Sequence, residues 1–195
     1  MNLWWCLESI KRDMQLSDDE KYISELLKKE YQEWVITLSS KEIHAIRKYT
    51  KNSIRENGKN SFYMSLNRML ESKNHKTFNN YKTLEIYAEV ISTALSKHLT
   101  QHDIRCYRGT EMPPVTGINV GECFVYKGFI STSIFEKYAF KRKYITVIHV
   151  PKGIHAAYID DISRYKGQYE YLIDKGYEYK LLSIKGNVYE MEVCI

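Results

Sequence analysis

Three short stretches in the second half of the chain hold the side chains best suited to chemistry. In Cys106-Tyr107-Arg108-Gly109 an apolar run ends on a lone Arg beside Gly. The guanidinium fork matches two oxygens of a phosphate, so Arg108 suits an oxyanion ligand; an ion pair with a local carboxylate is its other ordinary use. In Gly128-Phe129-Ile130-Ser131-Thr132-Ser133, residues two apart share a strand face, so Ser131 and Ser133 point one way and Thr132 the other. Two hydroxyls on one wall hold the polar edge of a ligand or of neighbouring side chains. No GxSxG elbow surrounds them, which argues against a serine nucleophile. In Tyr165-Lys166-Gly167-Gln168-Tyr169-Glu170, Gly167 permits a sharp turn. Gln168 and Glu170 then stand on one face, about 7 Å apart along a strand. A carboxylate there stabilises positive charge growing on a sugar ring, as in glycosidases, and an amide orients an incoming nucleophile. Solvated residues at a strand start are the plain alternative.

These stretches need elements to place them. Ser17 followed by Glu20 is a capping-box pattern, and Tyr22, Ile23, Leu26, Leu27, Tyr31 and Trp34 then recur at helical spacing, predicting a helix over 17–37. Further helices are expected from Ser39 or Ser40 to Tyr49, from Ser61 to Glu71, and from Thr83 to His98. The last has one apolar stripe of Leu84, Tyr87, Ala88, Ile91, Ala94 and Leu95. Asn57-Gly58 marks a turn. After His102 the pattern shortens and turns β-branched and aromatic. Strands are expected at 104–108, 128–133, 144–150, 155–159, 169–173, 177–184 and 188–195, with Lys185-Gly186-Asn187 as a hairpin turn. The order, helices first and strands after, is that of an α+β domain, with 1–102 mainly helical and 103–195 mainly β.

The 195 residues fit a single domain, 1–195, and 44% hydrophobic with 27% charged content describes a folded globule. A net charge of +5 agrees with an anionic ligand but is too dispersed to argue for nucleic acid. The four cysteines, Cys6, Cys106, Cys123 and Cys194, lie far apart without a CxxC pair, and the six His show no ligand spacing, so no metal is expected. His149, inside an apolar run, reads as a core residue. No stretch approaches the ~18 apolar residues of a membrane span. The apolar start Met1–Cys6 lacks the features of a signal peptide, leaving a processed form or another export route.

Taken together, an Arg strand, then Ser-Thr-Ser, then Gln-x-Glu resembles the Arg-Ser-Glu group of mono-ADP-ribosyltransferase toxins. The resemblance continues in Trp34–Thr50 and Tyr63–Leu70, which look like the family's N-terminal helices. It also covers Ile91–Gly109, which looks like the long helix running into the Arg strand, and Pro151-Lys152-Gly153 followed by Ala157-Tyr158-Ile159. Within the group, aromatic-x-Gly-Gln-x-Glu is similar to the small Rho-modifying exoenzymes of the botulinum C-three type, which modify an asparagine. Actin-modifying members, which modify arginine, have Glu where this chain has Gln168.

The resemblance implies an N-terminal helical lobe packed on a two-sheet β-sandwich core, with NAD⁺ in the cleft as substrate and no metal. It implies that Glu170 holds the nicotinamide-ribose hydroxyl and stabilises the oxocarbenium ion, that Gln168 positions the acceptor amide, and that Tyr165 reaches the target protein. Arg108 and Gly109 would hold the phosphate region, and Ser131 and Thr132 would brace the pocket. Phe140 or Tyr138, with Arg142, would close over the dinucleotide. Asn67 is the helix residue of the NAD site. Glu71 stands where an NAD-binding Arg is expected, with Arg68 one turn earlier as its substitute. The implied protein is a secreted monomer acting in host cytoplasm on a Rho-type small GTPase, with side NAD⁺ glycohydrolysis. The rival readings are a glycohydrolase without a protein target and a non-catalytic GTPase-binding module.

Overall fold

The structure, a computed structural model, describes residues 16–51, 61–78 and 80–195. The expected turn at Asn57-Gly58, the apolar start and Cys6 lie outside the described residues. Helix α1 spans Asp18–Thr37. Its capping box is formed: the Ser17 hydroxyl accepts from the Glu20 N–H at 3.3 Å, and the Glu20 carboxylate accepts from the Ser17 N–H at 2.8 Å. Asp18, Asp19 and Glu20 place negative charge at the positive end of the helix dipole. Helix α2, Ser40–Thr50, has a second capping box, Ser39 with Glu42. Helices α3, Phe62–Glu71, and α4, Tyr81–Ser96, complete the lobe. In the apolar stripe of α4, Leu84, Ala88, Ile91, Ala94 and Leu95 are buried and Tyr87 is half-buried at its edge. Trp34 of α1 locks onto it by donating its indole N–H to the Ala94 carbonyl at 2.8 Å.

Eight strands follow: β1 Ile104–Thr110, β2 Cys123–Val125, β3 Ile130–Ser133, β4 Tyr144–Val150, β5 Ala156–Tyr158, β6 Glu170–Ile173, β7 Glu178–Lys185 and β8 Val188–Val193. Their spatial order is β2-β7-β8-β4-β1-β3-β6-β5. All neighbours are antiparallel except β4 and β8. The α+β architecture is the expected one. The two expected sheets are a five-stranded and a three-stranded half, and they join at one residue pair, Tyr107↔Ser133 of β1 and β3. Strand β2 was not expected, because three residues carry too little alternation to register as a strand. The hairpin between β7 and β8 turns at Gly186, whose φ of 60° a side chain disfavours.

The helical lobe covers the three-stranded half, with α1 and α4 packed on β5. Every residue of β6 is buried, and the Tyr31 hydroxyl of α1 meets that of Tyr171 at 3.1 Å. His149 departs from the sequence expectation. It is half-buried and pairs with Glu190 on the parallel neighbour at 2.8 Å, because its face of β4 opens to solvent beside β8.

Asn67 is the polar residue on the buried side of α3. Its amide nitrogen donates to the Phe129 carbonyl at 2.9 Å, and its amide oxygen accepts from the Phe129 N–H at 3.1 Å. The Tyr49 hydroxyl donates to the same carbonyl at 3.3 Å. Asn67 thus acts as a substitute strand partner that fixes the entry to β3. Replacing it with Ala leaves the buried Phe129 N–H without that acceptor, while the carbonyl keeps Tyr49. Asn67→Ala is therefore expected to lower stability by about 1–3 kcal/mol, read as a reduced urea midpoint at unchanged slope.

Candidate active site

Strands β3 and β6 set Ser133 opposite Glu170 and Ser131 opposite Leu172. From this register the Ser131 hydroxyl donates to one carboxylate oxygen of Glu170 at 2.5 Å. The Ser163 hydroxyl donates to the other at 2.8 Å. Ser163 was not among the residues expected from sequence, since nothing in its spacing links it to Glu170. Glu170 is 7% exposed. Burial pushes its carboxyl above the usual carboxylate range, and the two serine hydroxyls pull against that shift.

The segment between β5 and β6 is a clasp built on Asp160, also buried and also unforeseen. One oxygen of Asp160 accepts from the Gly167 N–H at 2.9 Å, and the other from the N–H groups of Tyr169 at 2.7 Å and Glu170 at 3.4 Å. These bonds hold Tyr169 at φ 52°, a left-handed conformation uncommon for an aromatic residue. The Tyr169 ring packs against Tyr138 and Phe135, with centroids 4.5 and 5.1 Å away. The Ser133 hydroxyl donates to the Gln168 carbonyl at 2.9 Å. Gln168 therefore enters the site from a backbone tied at several points.

Arg108 approaches from β1, with Nη1 3.5 Å from the Ser131 carbonyl it donates to. At Gly109 an added Cβ would lie 1.7 Å from the Phe140 carbonyl oxygen. Only glycine lets the 139–142 segment cross β1 here, and that crossing brings Phe140 to the cleft. The cleft is two adjoining cavities of about 590 and 300 Å³, open to solvent. Both are bordered by Arg108, Gly109, Ser131, Phe140, Gln168 and Glu170. The larger adds Tyr49, Thr50 and Tyr63, which sequence reasoning did not single out. A cation and a buried carboxylate, both bonded to Ser131, together with aromatic walls suit a dinucleotide with a pyrophosphate and a sugar.

Of the other expected residues, Thr132 and Tyr138 also border the smaller cavity. Arg68 is exposed and borders neither cavity, because its helix turns the Asn67 side inward. Asn67 spends its amide on Phe129, and the Thr132 hydroxyl donates to the Tyr171 carbonyl at 2.8 Å. Arg142 pairs with Glu111 at 2.9 Å and lies 5.9 Å from the Phe140 ring. Tyr138 is buried against Tyr169 and borders the smaller cavity, while Phe140 borders both. Glu71 lies near the partly buried Tyr126; burial, foremost, and the Glu71 carboxylate push the Tyr126 hydroxyl up, while the Arg108 charge pulls it down.

Burial makes Glu170 a source of instability when ionised. A raised folded pKa means that this penalty is absent below the unfolded value, near 4.5, and complete above the folded one. A Gln at this position keeps both serine contacts, one hydroxyl donating and the other accepting. Glu170→Gln is therefore expected to melt at a higher temperature than the parent at pH 7, the gap closing as pH falls towards 4.5, as scanning calorimetry would show. Gly109→Ala is expected to distort the cleft, read as weaker quenching of intrinsic fluorescence by a titrated dinucleotide.

The model of the ADP-ribosyltransferase exoenzyme family matches residues 25–192. A curated relative, the NAD(+)–arginine ADP-ribosyltransferase EFV of Enterococcus faecalis, is 26% identical over 169 residues. That match covers 82% of this chain and 32% of the relative, so the chain spans about a third of the relative's length. Among solved structures, the ADP-ribosyltransferase toxin Plx2a of Paenibacillus larvae shares the fold, with a TM-score of 0.74 and 24% identity over 91% of this chain and 97% of that one. The C3larvin toxin of the same organism is 26% identical, with a TM-score of 0.63 over 86% of this chain and 94% of its own.

Proposed function

The chain belongs to the ADP-ribosyltransferase exoenzyme family, its domain that of an NAD⁺-dependent mono-ADP-ribosyltransferase, and on that premise we propose that its acceptor is an asparagine of a Rho-type small GTPase. The observation that carries this is Gln168, an amide at the cleft beside the buried Glu170. A carboxamide both donates to and accepts from another carboxamide, whereas a guanidinium acceptor, all donors, is better met by a carboxylate. The E. faecalis relative is named for arginine; for this chain, arginine is the reading that Gln168 disfavours.

In the proposed reaction Glu170, oriented by Ser131 and Ser163, holds a ribose hydroxyl and faces the positive charge that builds as the bond to nicotinamide breaks. The bonding electrons leave with nicotinamide, which departs neutral. The acceptor nitrogen attacks the anomeric carbon and gives up a proton, and water in its place gives slow glycohydrolysis. Arg108 binds the phosphates, Phe140 packs on the dinucleotide, and Tyr165 meets the target. Arg142 would exchange Glu111 for a phosphate oxygen. Ionised Glu170 is the working form, so activity should fall on acidification with a midpoint above the ordinary carboxylate value of 4.5. An exoenzyme of this kind would act in the cytoplasm of a foreign cell after export.

The test is incubation with labelled NAD⁺ and a panel of small GTPases, followed by mass spectrometry of the modified residue. Labelled asparagine is expected on a Rho-type member. Glu170→Gln should lose about 10²–10³-fold in turnover, the scale of removing one electrostatic stabiliser. Gln168→Glu should keep nicotinamide release while losing label on asparagine. Label on arginine would overturn the acceptor assignment. Nicotinamide release with no GTPase labelled would overturn the partner.

A further inference from the structure

Outside the cleft, one cluster joins side chains that the sequence leaves far apart. Cys123 on β2 pairs with Lys180 on β7, and Glu178 shares that face two residues earlier. Lys180 in turn pairs with Glu192 on β8, whose face Cys194 shares. The backbone holds this arrangement, since the Cys194 N–H donates to the Glu178 carbonyl at 2.8 Å. The alternate residues Tyr179, Leu181 and Val193 are buried on the core side, and Phe124 stacks on Tyr179 with centroids 5.9 Å apart. Slippage would bury the polar set, so the outward face is fixed. As a result the sulfurs of Cys123 and Cys194 and a carboxylate oxygen of Glu178 all lie within 4.8 Å of one another.

We propose that Cys123, Glu178 and Cys194 form a site for a thiophilic divalent cation, Zn²⁺ being the ion whose chemistry they fit. Zinc takes Cys sulfur at about 2.3 Å and carboxylate oxygen at about 2.1 Å in a tetrahedron. That geometry sets ligand atoms roughly 3.5–3.8 Å apart, within reach of side chains on a solvent-facing sheet. Two sulfurs exclude Ca²⁺ and Mg²⁺, which take oxygen, while the hard carboxylate disfavours Cu(I). Three protein ligands leave the fourth position to water. Binding removes one proton from each thiol, so two protons are released per ion. Burial, then the neighbouring Cys123 and the carboxylates of Glu178 and Glu192, hold the Cys194 thiol above its usual value; a dication reverses the field of those groups. Lys180, on the same face, offsets the excess negative charge of two thiolates and a carboxylate. Strand β4 lies between the site, on β2, β7 and the end of β8, and β1 with the cleft. A metal there ties the β2 edge to β8 across β7 and takes no part in transfer.

The experiment is a Co²⁺ titration of the reduced, metal-free full chain carrying Cys6→Ser, followed by absorbance, with Zn²⁺ as competitor. One Co²⁺ per chain is expected, with an intense sulfur-to-cobalt charge-transfer band that Zn²⁺ abolishes. The band should vanish in Cys123→Ser and in Cys194→Ser and shift with weaker binding in Glu178→Gln, while nicotinamide release stays unchanged in all three. Absence of the band, or its survival in Cys123→Ser, overturns the proposal. So does loss of two titratable thiols in air by a chain that takes up no metal when reduced, because the pair would then be a redox couple instead.

Discussion

A carboxylate held out of water by two hydroxyls is the interaction on which this structure turns. Ionised Glu170 in a buried position is unfavourable unless its lone pairs are occupied. Ser131 comes from β3 and Ser163 from the clasp before β6, so two separately built elements must converge on one side chain. Each hydroxyl takes one oxygen, which fixes the carboxylate plane and leaves its remaining lone pairs to the cleft. The low local dielectric that makes the arrangement costly also strengthens whatever attraction it exerts on positive charge. The same burial that lifts the carboxyl therefore strengthens its pull on any positive charge brought into the cleft.

The cleft lies at a seam. The two halves of the sheet share only the Tyr107↔Ser133 pair, and beyond that pair the strands part. Arg108 stands on one lip of the opening, with Ser131 and Glu170 on the other. A seam with so little pairing needs other restraints. Asn67 and Tyr49 from the helical lobe hold the Phe129 backbone where β3 begins. Gly109 lets the Phe140 segment cross β1 in contact. The helical half of the chain is thus part of the site's construction, although few of its side chains border the cavity.

Much of this was legible from sequence, for identifiable reasons. Helices with a full apolar stripe, such as α4, and caps with complementary spacing, such as Ser17 with Glu20, state their own boundaries to within a few residues. Arg108, Ser131, Gln168 and Glu170 were legible because their three short motifs follow one another in a recurrent order, and all four border one cleft. What was hidden depends on tertiary contact. Asn67 offered a signal, a polar residue on the apolar side of α3, but its partner Phe129 is 62 positions away. Asp160 and Ser163 sit in a segment without periodicity, where only the folded clasp shows which atoms they meet. Cys123 and Cys194 look isolated in the chain because the strand order β2-β7-β8, not sequence distance, sets them together.

The clasp divides its labour by depth. Its inner members, Asp160, Ser163 and Glu170, are buried and bonded to one another or to the backbone. With Ser131 of β3, they hold Tyr169 at a positive φ and a carboxylate out of water. Arg164 and Lys166 are exposed, and Tyr165 between them is half-buried. The exposed side chains of Arg164 and Lys166 take no part in those bonds, so their identity is constrained by what the segment meets rather than by how it folds. Gln168 stands at the boundary, its carbonyl bound by Ser133 while its side chain borders the cleft. That position, rigid in backbone and open in side chain, is where one functional group can change at the cleft without disturbing the buried carboxylate of Glu170.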